Sequence, residues 1–257
     1  MCKIETPIAE HWRKESEFHD RMAAKDVREA AFRTYGLSNG SIQYARNLLG
    51  DLTGRIVLDL GCGDGKKTLP LLQEGVRVLA CDISYRMATM ALAYLKTAAN
   101  EKGARLSCLQ IAAEQMGIKS GAVDLVFGVS ILHHLNIPLG LEEIHRILKP
   151  DGRAVFVEPL AHHPLANLYR ALTPKRHSET ESPLPYFILK DLGKLFRRAN
   201  HREFYLSSVL AAFTAYLGSK SLFDGFLHIL MKIDQALFDA FPQLRRYAWI
   251  SVIELTK

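Results

Sequence analysis

Short apolar segments alternate with amphipathic segments from residue 55 to residue 158, and this alternation constrains the fold more than any other feature. The apolar segments are typical of buried strands and cover residues 55–60, 77–81, 105–111, 123–129 and 153–158. Helical patterns occupy the intervals, at residues 66–74, 85–102 and 139–148. Strands and helices in such alternation form a parallel sheet with right-handed crossovers. The sequence therefore predicts an α/β fold.

The flanking segments add helices and the last strands. Helices are predicted at 9–33, 38–50, 191–199 and 209–242, strands at 202–208 and 247–255, and turns or irregular structure at 149–152 and 159–187. We expect a doubly wound, seven-stranded, mostly parallel sheet. The expected parts are an N-terminal helical lid (1–50), a ligand-binding core (51–158), and a substrate loop, helical cap and last strands (159–257).

Composition excludes several classes of protein. Of the 257 residues, 48% are hydrophobic and 23% are charged, which is typical of a globular chain rather than a disordered one. The net charge of +6 is scattered and accompanies no nucleic-acid motif, so we expect no nucleic-acid partner. The longest apolar stretch, 209–218, is too short for a membrane span. Four cysteines without metal-site spacing, and no leader-like N-terminus, favour a cytoplasmic protein without a metal.

A glycine-rich turn follows the first strand, with the pattern Asp59-x-Gly61-x-Gly63-x-Gly65. Glycines at this spacing let the backbone bend sharply and let a ligand lie against it. A P-loop is excluded because Leu60 and Lys67 replace its first glycine and its Ser/Thr. A dinucleotide fingerprint fails because Lys66 replaces its third glycine. The carboxylate at the strand end favours a ligand that carries positive charge.

A second carboxylate, Asp82, ends the next strand about 20 residues further on, where it can accept the hydroxyls of a ribose. Ser84 can cap the following helix and so leave Asp82 free. Together with the later segments Val123-Asp124-Leu125-Val126 and Leu148-Lys149-Pro150-Asp151-Gly152, these motifs resemble the class I S-adenosylmethionine-dependent methyltransferase family. The resemblance implies S-adenosylmethionine as the cofactor and S-adenosylhomocysteine as its product.

The resemblance also implies positions for the cofactor. Asp59 is expected near the methionine moiety, Asp82 on the ribose and Ile83 on the adenine face. Ala112 stands where the family usually has an acid for adenine, so Ala113 and Glu114 are the expected substitutes. The turn residues and the end of the fourth strand complete the expected cofactor set, which adds Gly61, Cys62, Gly63, Gly65, Val129 and Ser130.

Acceptor residues are predicted in the variable segments beside the strand ends. His162 and His163, in the loop after the fifth strand, and His19, in the N-terminal segment, are candidate bases, with helix capping and surface exposure as the alternatives. Tyr169, Arg170 and His133 are candidate substrate contacts, although Arg170 also suits a structural ion pair. His133 and the adjacent His134 also suit a base or a metal site, with a scaffold role at the start of the next helix as the alternative. The apolar cap, 209–242, is expected to pack on the sheet edge and core, with an apolar substrate chamber or a homodimer surface as the alternatives.

These features predict methyl transfer to a small-molecule, lipid-like or peptide natural-product acceptor, preferably at oxygen. Nitrogen and carbon acceptors stay open. The alternatives are a non-catalytic protein that binds S-adenosylmethionine for a regulatory or accessory role, and a nicotinamide-dependent dehydrogenase, which Lys66 disfavours.

Overall fold

The computed structural model describes residues 7–24, 37–98, 105–174, 177–178, 181–215 and 219–257. Its strands are β1 (Ile56–Leu60), β2 (Arg77–Asp82), β3 (Arg105–Gln110), β4 (Val123–Val129), β5 (Leu148–Pro159), β6 (Arg198–Phe204) and β7 (Ile250–Thr256). Its α-helices are α1 (Pro7–Ala24), α2 (Asn39–Leu49), α3 (Leu69–Leu72), α4 (Tyr85–Ala98), α5 (Ile137–Ile147), α6 (Pro164–Leu172), α7 (Ile188–Asp191), α8 (Ala212–Ala215) and α9 (Lys220–Ala240). Short 3₁₀ turns include Leu132–His134 and Ser208–Ala211.

The seven strands form one sheet in the order β3-β2-β1-β4-β5-β7-β6. β7 runs antiparallel to both of its neighbours, while the pairs from β3 to β5 are parallel. The predicted doubly wound, seven-stranded, mostly parallel sheet is therefore confirmed. Strand order reverses between β1 and β4, and a crevice forms at the carboxyl ends of strands at such a point.

The sheet is buried on both faces, as the continuous apolar runs of its central strands require. Leu58 and Phe156 belong to the cluster on one face, and Val57, Phe127 and Val155 belong to the cluster on the other. Helix α2 packs against the second face, where the Arg153 guanidinium donates to the carbonyls of Leu48 and Leu49, both at 2.7 Å. This rigid layer fixes the strand ends that carry the site.

Several predicted boundaries were wrong. The segment 159–187 contains helix α6, and the segment predicted as helix over 191–199 ends in the edge strand β6. The predicted turn at 149–152 lies inside β5, where the pairing with β4 shifts register. Much of the predicted helix in the N-terminal segment is confirmed as α1, whereas residues 25–36 lie outside the described part of the chain.

The cap consists of several elements rather than one continuous helical segment. A 3₁₀ turn and α8 precede α9, whose residues Phe223, Asp234 and Phe238 are buried. The Asp234 carboxylate accepts hydrogen bonds from the backbone and side-chain groups of Ser207 and Ser208. No helix in the described ranges combines the length and the apolar character that crossing a bilayer requires.

Candidate active site

The glycine turn leaves the carboxyl end of β1 with three residues in the left-handed region. Gly61, Gly63 and Gly65 have φ values of 71°, 53° and 82°. A Cβ on Gly61 would lie 2.9 Å from Ile131, and one on Gly65 would lie 3.1 Å from the Cα of Ala91. A Cβ on Gly63 would meet nothing within 4 Å. Gly61 and Gly65 are thus required by packing, whereas Gly63 faces open space in the crevice.

Asp82 at the end of β2 anchors this turn. One of its carboxylate oxygens accepts the Gly63 N–H at 2.9 Å, and the other accepts the Ser84 N–H at 2.9 Å. The Ser84 hydroxyl accepts the Met87 N–H at 3.0 Å and so caps α4, as predicted. Burial raises the pKa of Asp82, and the two backbone hydrogen bonds oppose that effect. Each oxygen retains a lone pair for a further donor.

Asp59 lies deeper, at 2% exposure, near the carboxyl end of β1. The Thr68 hydroxyl donates to it at 2.5 Å. Burial raises the pKa of Asp59 from 3.8 to about 6, although the Thr68 hydrogen bond and the charge of Lys67 oppose this effect. A buried carboxylate held in this way is stabilised in its ionised form by a positive ligand.

Helix α1 covers the crevice. Its Ser16 hydroxyl donates to the Ile83 carbonyl at 3.1 Å, and Asp20 accepts from the Ser84 hydroxyl. The Trp12 indole donates to Glu114 at 2.9 Å. A cavity of about 290 Å³ remains between α1 and the ends of β2 and β3, and its lining comprises Trp12, Arg13, Ser16, Ile83, Gln110, Ile111 and Ala112.

On the other side of the crevice, a 3₁₀ turn follows β4 and is held by Glu158 at the end of β5. One Glu158 oxygen accepts the N–H groups of Ile131 and Leu132, at 2.8 and 2.9 Å. The other lies 2.7 Å from Nδ1 of His133. Both side chains are buried, with exposures of 0% for Glu158 and 4% for His133. This pair fixes the turn that starts immediately after the crevice.

The two histidines of that turn lie among ionisable side chains from other segments. Together they form what we call the acceptor-side cluster, defined by the residues Glu15, His19, His133, His134, Glu158, Arg170 and Glu181. Glu15 of α1 lies 3.4 Å from His19 and 3.0 Å from His134. Glu181 lies 2.6 Å from Arg170 and 3.9 Å from His133. Burial raises the pKa of Glu181, but Arg170 and the neighbouring histidines outweigh burial and hold it below its ordinary value.

Comparison with known proteins finds a match for the part of the chain that forms this crevice. A family model described as a methyltransferase domain matches residues 58–156, which hold the glycine turn, Asp82 and the turn after β4. Residues 58–156, less than half of the chain, thus resemble a methyltransferase domain.

Curated relatives that match part of the chain are also methyltransferases by name. A demethylmenaquinone methyltransferase from Lactococcus lactis is 34% identical over 126 residues, which are 48% of each chain. A ubiquinone biosynthesis O-methyltransferase from Pseudomonas aeruginosa is 32% identical over 123 residues, which are 47% of this chain and 51% of the relative. The present chain therefore matches about half the length of these relatives.

Solved structures share the fold. A phosphoethanolamine N-methyltransferase from Haemonchus contortus superposes with a TM-score of 0.64 at 17% identity, over 94% of this chain and 59% of its own. A geranyl diphosphate C-methyltransferase from Streptomyces coelicolor superposes with a TM-score of 0.62 at 13% identity, over 99% of this chain and 98% of its own. At such identities the likeness extends to the fold alone.

The Haemonchus contortus enzyme named above was solved with S-adenosylhomocysteine, the demethylated form of S-adenosylmethionine. The residues present fit such a ligand, because the open face of Gly63 leaves room beside the turn and Asp82 can accept hydroxyl donors. Glu114 is engaged differently from the expectation, since its two oxygens accept from Trp12 and from the Asn136 backbone. Ala113 is buried, and Cys62 is buried with the pKa of its thiol raised by burial.

Two of the residues predicted for the methionine side lie at the end of β4. Val129 is half-buried, and Ser130 is exposed with a φ of 58° while its N–H donates to the Val157 carbonyl at 2.8 Å. A serine in this conformation marks an abrupt end to the strand. It places the Ser130 side chain at the rim of the crevice.

Both ring nitrogens of the predicted base His163 contact the backbone. Its Nδ1 accepts the Ala166 N–H at 3.1 Å and caps α6, and its Nε2 donates to the Leu206 carbonyl at 3.0 Å. With both nitrogens engaged, His163 has no lone pair for a substrate proton. His162 is exposed in the turn before α6, outside the acceptor-side cluster.

The remaining predicted acceptor residues divide between the cluster and the surface. His19 and His133 belong to the cluster, and Arg170 forms the ion pair with Glu181 that was its alternative role. Tyr169 is exposed on α6. Sequence reasoning assigned no role to Glu15, Glu158 or Glu181, because nothing in their local patterns shows that the fold brings them together.

Proposed function

We propose that this chain transfers the methyl group of S-adenosylmethionine to a small-molecule acceptor, with oxygen as the preferred atom. One observation carries the proposal: the matched methyltransferase segment places a glycine turn between two buried carboxylates, Asp59 and Asp82, under the cover of α1. This arrangement supplies a cation-compatible nucleoside site that is shielded from water.

In this proposal Asp82 accepts the ribose hydroxyls and Gly63 lets the turn approach the cofactor closely. The adenine lies against Ile83 in the cavity under Trp12, where Ala112 leaves space. The methionine moiety extends past Gly61 toward Val129 and Ser130, on the Asp59 side. Ala113, Glu114, Cys62 and Gly65 then support the pocket walls rather than providing its hydrogen bonds.

The sulfonium is already activated, so the protein's contribution is to orient the acceptor and to exclude water. The bond from the methyl carbon to sulfur breaks as the bond to the acceptor oxygen forms, and the acceptor's proton leaves toward the polar groups around it. Of the three predicted bases, only His19 lies in the acceptor-side cluster, because His163 is engaged and His162 is exposed.

Two observations support a small and partly apolar acceptor. The relatives named above act, by their names, in quinone metabolism. In addition, α6 borders the acceptor-side cluster through Arg170 and exposes the leucines Leu165, Leu168 and Leu172. A lipid-like acceptor or an apolar peptide product can contact such a rim. A phenol or enol attached to an apolar group fits both observations.

Calorimetry with S-adenosylhomocysteine tests the cofactor site. We expect one binding site per chain, and D82N should weaken binding roughly tenfold to hundredfold because hydrogen bonds to a charged group are lost. The matched control is D64N, which changes an exposed aspartate of the same turn and should bind normally. Failure of the unaltered, folded protein to bind would refute the proposal.

Formation of S-adenosylhomocysteine from S-adenosylmethionine, with phenol, enol and amine acceptors and with cell extract, tests catalysis. Turnover with a hydroxylated acceptor supports the proposal, and turnover restricted to amines or carbon acids assigns N- or C-methylation. Tight cofactor binding without turnover on any of these would instead favour the regulatory or accessory alternative. Binding of NAD in place of S-adenosylmethionine would favour the dehydrogenase.

The division into a lid (1–50), a core (51–158) and a cap region (159–257) stays a prediction. Within the predicted lid, α1 rather than α2 covers the site.

A homodimer through the cap also stays a prediction. It is supported by an exposed apolar stripe on α9 that comprises Leu222, Phe226, Ile229 and Ile233. Sedimentation of F226D beside the unaltered chain tests it, since a dimer built on this stripe should dissociate.

A further inference from the structure

We propose that Glu15, His19 and His134 form a binding site for a divalent transition-metal cation of the Zn²⁺ type. The proposal concerns the acceptor-side cluster rather than the cofactor crevice, and metal binding does not depend on the proposed methyl transfer. It also revises the expectation from cysteine spacing that the chain binds no metal, because the ligands here come from distant segments.

The donor atoms already lie at nearly the separations that a metal ion requires. Oε2 of Glu15 is 3.4 Å from Nε2 of His19 and 3.0 Å from Nδ1 of His134, and all three atoms lie within 4.8 Å of one another. Zinc binds nitrogen and oxygen ligands at about 2.0–2.2 Å in tetrahedral geometry, which separates neighbouring ligand atoms by about 3.3 Å. Small side-chain adjustments would therefore complete the site.

The fold fixes these ligands from two sides. Glu15 and His19 are four residues apart on α1 and so lie on the same face of that helix. His134 ends the 3₁₀ turn after β4, which Glu158 holds in place. The side chains of Glu15, His19 and His134 are 3%, 28% and 12% exposed. A bound cation would thus join the covering helix to the core of the domain.

Outer partners orient the ligands, as they do in established metal sites. The Ser178 hydroxyl donates to the second Glu15 oxygen at 2.7 Å, which leaves Oε2 directed at the histidines. The carbonyl of His134 lies 2.7 Å from Nε2 of His11. The Ser178 contact restricts the rotation of the Glu15 carboxylate, and the His11 contact joins α1 to the backbone of the turn that carries His134.

The charges of the cluster favour a cation. The carboxylates of Glu15, Glu158 and Glu181 are 3%, 0% and 7% exposed, and Arg170 is the guanidinium that contacts one of them. Buried carboxylates need compensating positive charge. A second set of donor atoms, from His133, His134 and Glu181, borders the first and shares His134 with it.

The ligand set identifies the class of metal. Two imidazole nitrogens and one carboxylate oxygen suit Zn²⁺, Co²⁺ or Fe²⁺ rather than Mg²⁺ or Ca²⁺, which prefer oxygen ligands. Three protein ligands leave a fourth position for an oxygen atom, the pattern of catalytic rather than structural zinc sites. An acceptor hydroxyl in that position would lie on the side of the crevice where the methyl group is delivered.

Cobalt spectroscopy tests the site. The full chain is stripped of metal with a chelator and titrated with Co²⁺, and visible absorption and equilibrium dialysis report the geometry and the stoichiometry. We expect one tetrahedral or five-coordinate Co²⁺ per chain, displaced by Zn²⁺. E15Q, H19N and H134N should each weaken binding at least about tenfold. The controls are E17Q, an exposed glutamate of the same helix, and H228N, an exposed histidine of α9.

Three results would overturn the proposal: no Co²⁺ or Zn²⁺ bound at micromolar concentrations, binding that survives in both E15Q and H19N, or equal weakening by the control substitutions. The first of these would leave Glu15 as an ordinary ion-pair partner of the two histidines. Circular dichroism checks the fold of each variant, and H19N changes a half-exposed residue that should leave folding intact. Calorimetry with S-adenosylhomocysteine, run in parallel, separates failure of the metal site from failure of the proposed function.

Discussion

Replacing Asp59 with asparagine should make the ligand-free protein more stable and its cofactor site weaker. Burial raises the pKa of Asp59 from 3.8 to about 6, so at neutral pH the fold holds a carboxylate whose ionisation it disfavours. One pKa unit corresponds to about 1.4 kcal/mol. The difference between 3.8 and about 6 therefore corresponds to about 3 kcal/mol of stability that the ionised Asp59 removes at pH 8.

The sign follows from proton linkage. Between pH 3.8 and about 6 the folded protein retains a proton on Asp59 that the unfolded chain releases, so the free energy of unfolding falls as pH rises through this interval. The amide introduced by D59N would not titrate and would keep an acceptor for the Thr68 hydroxyl. The stability gained by D59N should thus grow from about 1.5 kcal/mol at pH 5 to about 3 kcal/mol at pH 8.

Urea unfolding and thermal unfolding of the ligand-free proteins, followed by circular dichroism at pH 5 and pH 8, measure this gain. In the thermal experiment at pH 8 the melting temperature should rise by about 6–12 °C, given about 2–4 °C per kcal/mol for a chain of this size. D64N, which changes an exposed aspartate of the same turn, should alter stability by less than about 0.5 kcal/mol. A D59N gain that is absent, or equal at the two pH values, would refute the reasoning.

The same substitution should weaken cofactor binding. If a positively charged methionine moiety lies beside Asp59, loss of the carboxylate removes a charged hydrogen bond worth about 1.5–3 kcal/mol, or roughly tenfold to hundredfold in affinity. Calorimetry with S-adenosylmethionine measures this change. Unaltered affinity in a stabilised D59N would show that the Asp59 charge serves neither folding nor the ligand.

Three further sets of substitutions separate structural from ligand-binding roles. G65A should lower the free energy of unfolding, measured in urea, by about 3 kcal/mol or more, because its Cβ would lie 3.1 Å from the Ala91 backbone. G63A should lower it by only about 1–2 kcal/mol but should weaken cofactor binding at least about tenfold. H163A should lower the free energy of unfolding by about 2 kcal/mol, because α6 loses its cap, while turnover of the folded enzyme stays unchanged. A large fall in turnover would instead support His163 as a base. D234A should lower the free energy of unfolding by about 3 kcal/mol or more, because the backbone N–H and the hydroxyl of Ser207 lose their hydrogen-bond acceptor. Unchanged stability would contradict this structural role of Asp234.

The sheet and the cofactor side of the site could be predicted because their determinants are local. A buried parallel strand must be a continuous apolar run, and the turn after β1 needs glycine at each left-handed position. Asp82 was identifiable from its place at the end of β2. These features are properties of single segments, so one sequence suffices to find them.

The errors arose where tertiary contacts outweighed local preference. Residues 195–199 have helical character, but Arg198–Phe204 pairs with β7 at the sheet edge, and that pairing decides the structure. Helix α6 was missed because prolines suggested irregular structure, yet Pro164 occupies the first turn of the helix, where proline is tolerated, and His163 caps it.

The carboxylates of the acceptor-side cluster were beyond sequence reasoning for a different reason, although its His19, His133 and Arg170 were among the predicted acceptor residues. Its carboxylates come from α1, from the end of β5 and from the loop after α6, so no local spacing connects them. Glu158 shows why the fold nevertheless retains them. It holds the backbone of the turn after β4 with one oxygen and His133 with the other, and so couples the strand end at Ser130 to the histidines. Removing a buried, hydrogen-bonded charge of this kind leaves three donors unsatisfied. Glu158 therefore joins the backbone that follows β4 to the first histidine of the cluster.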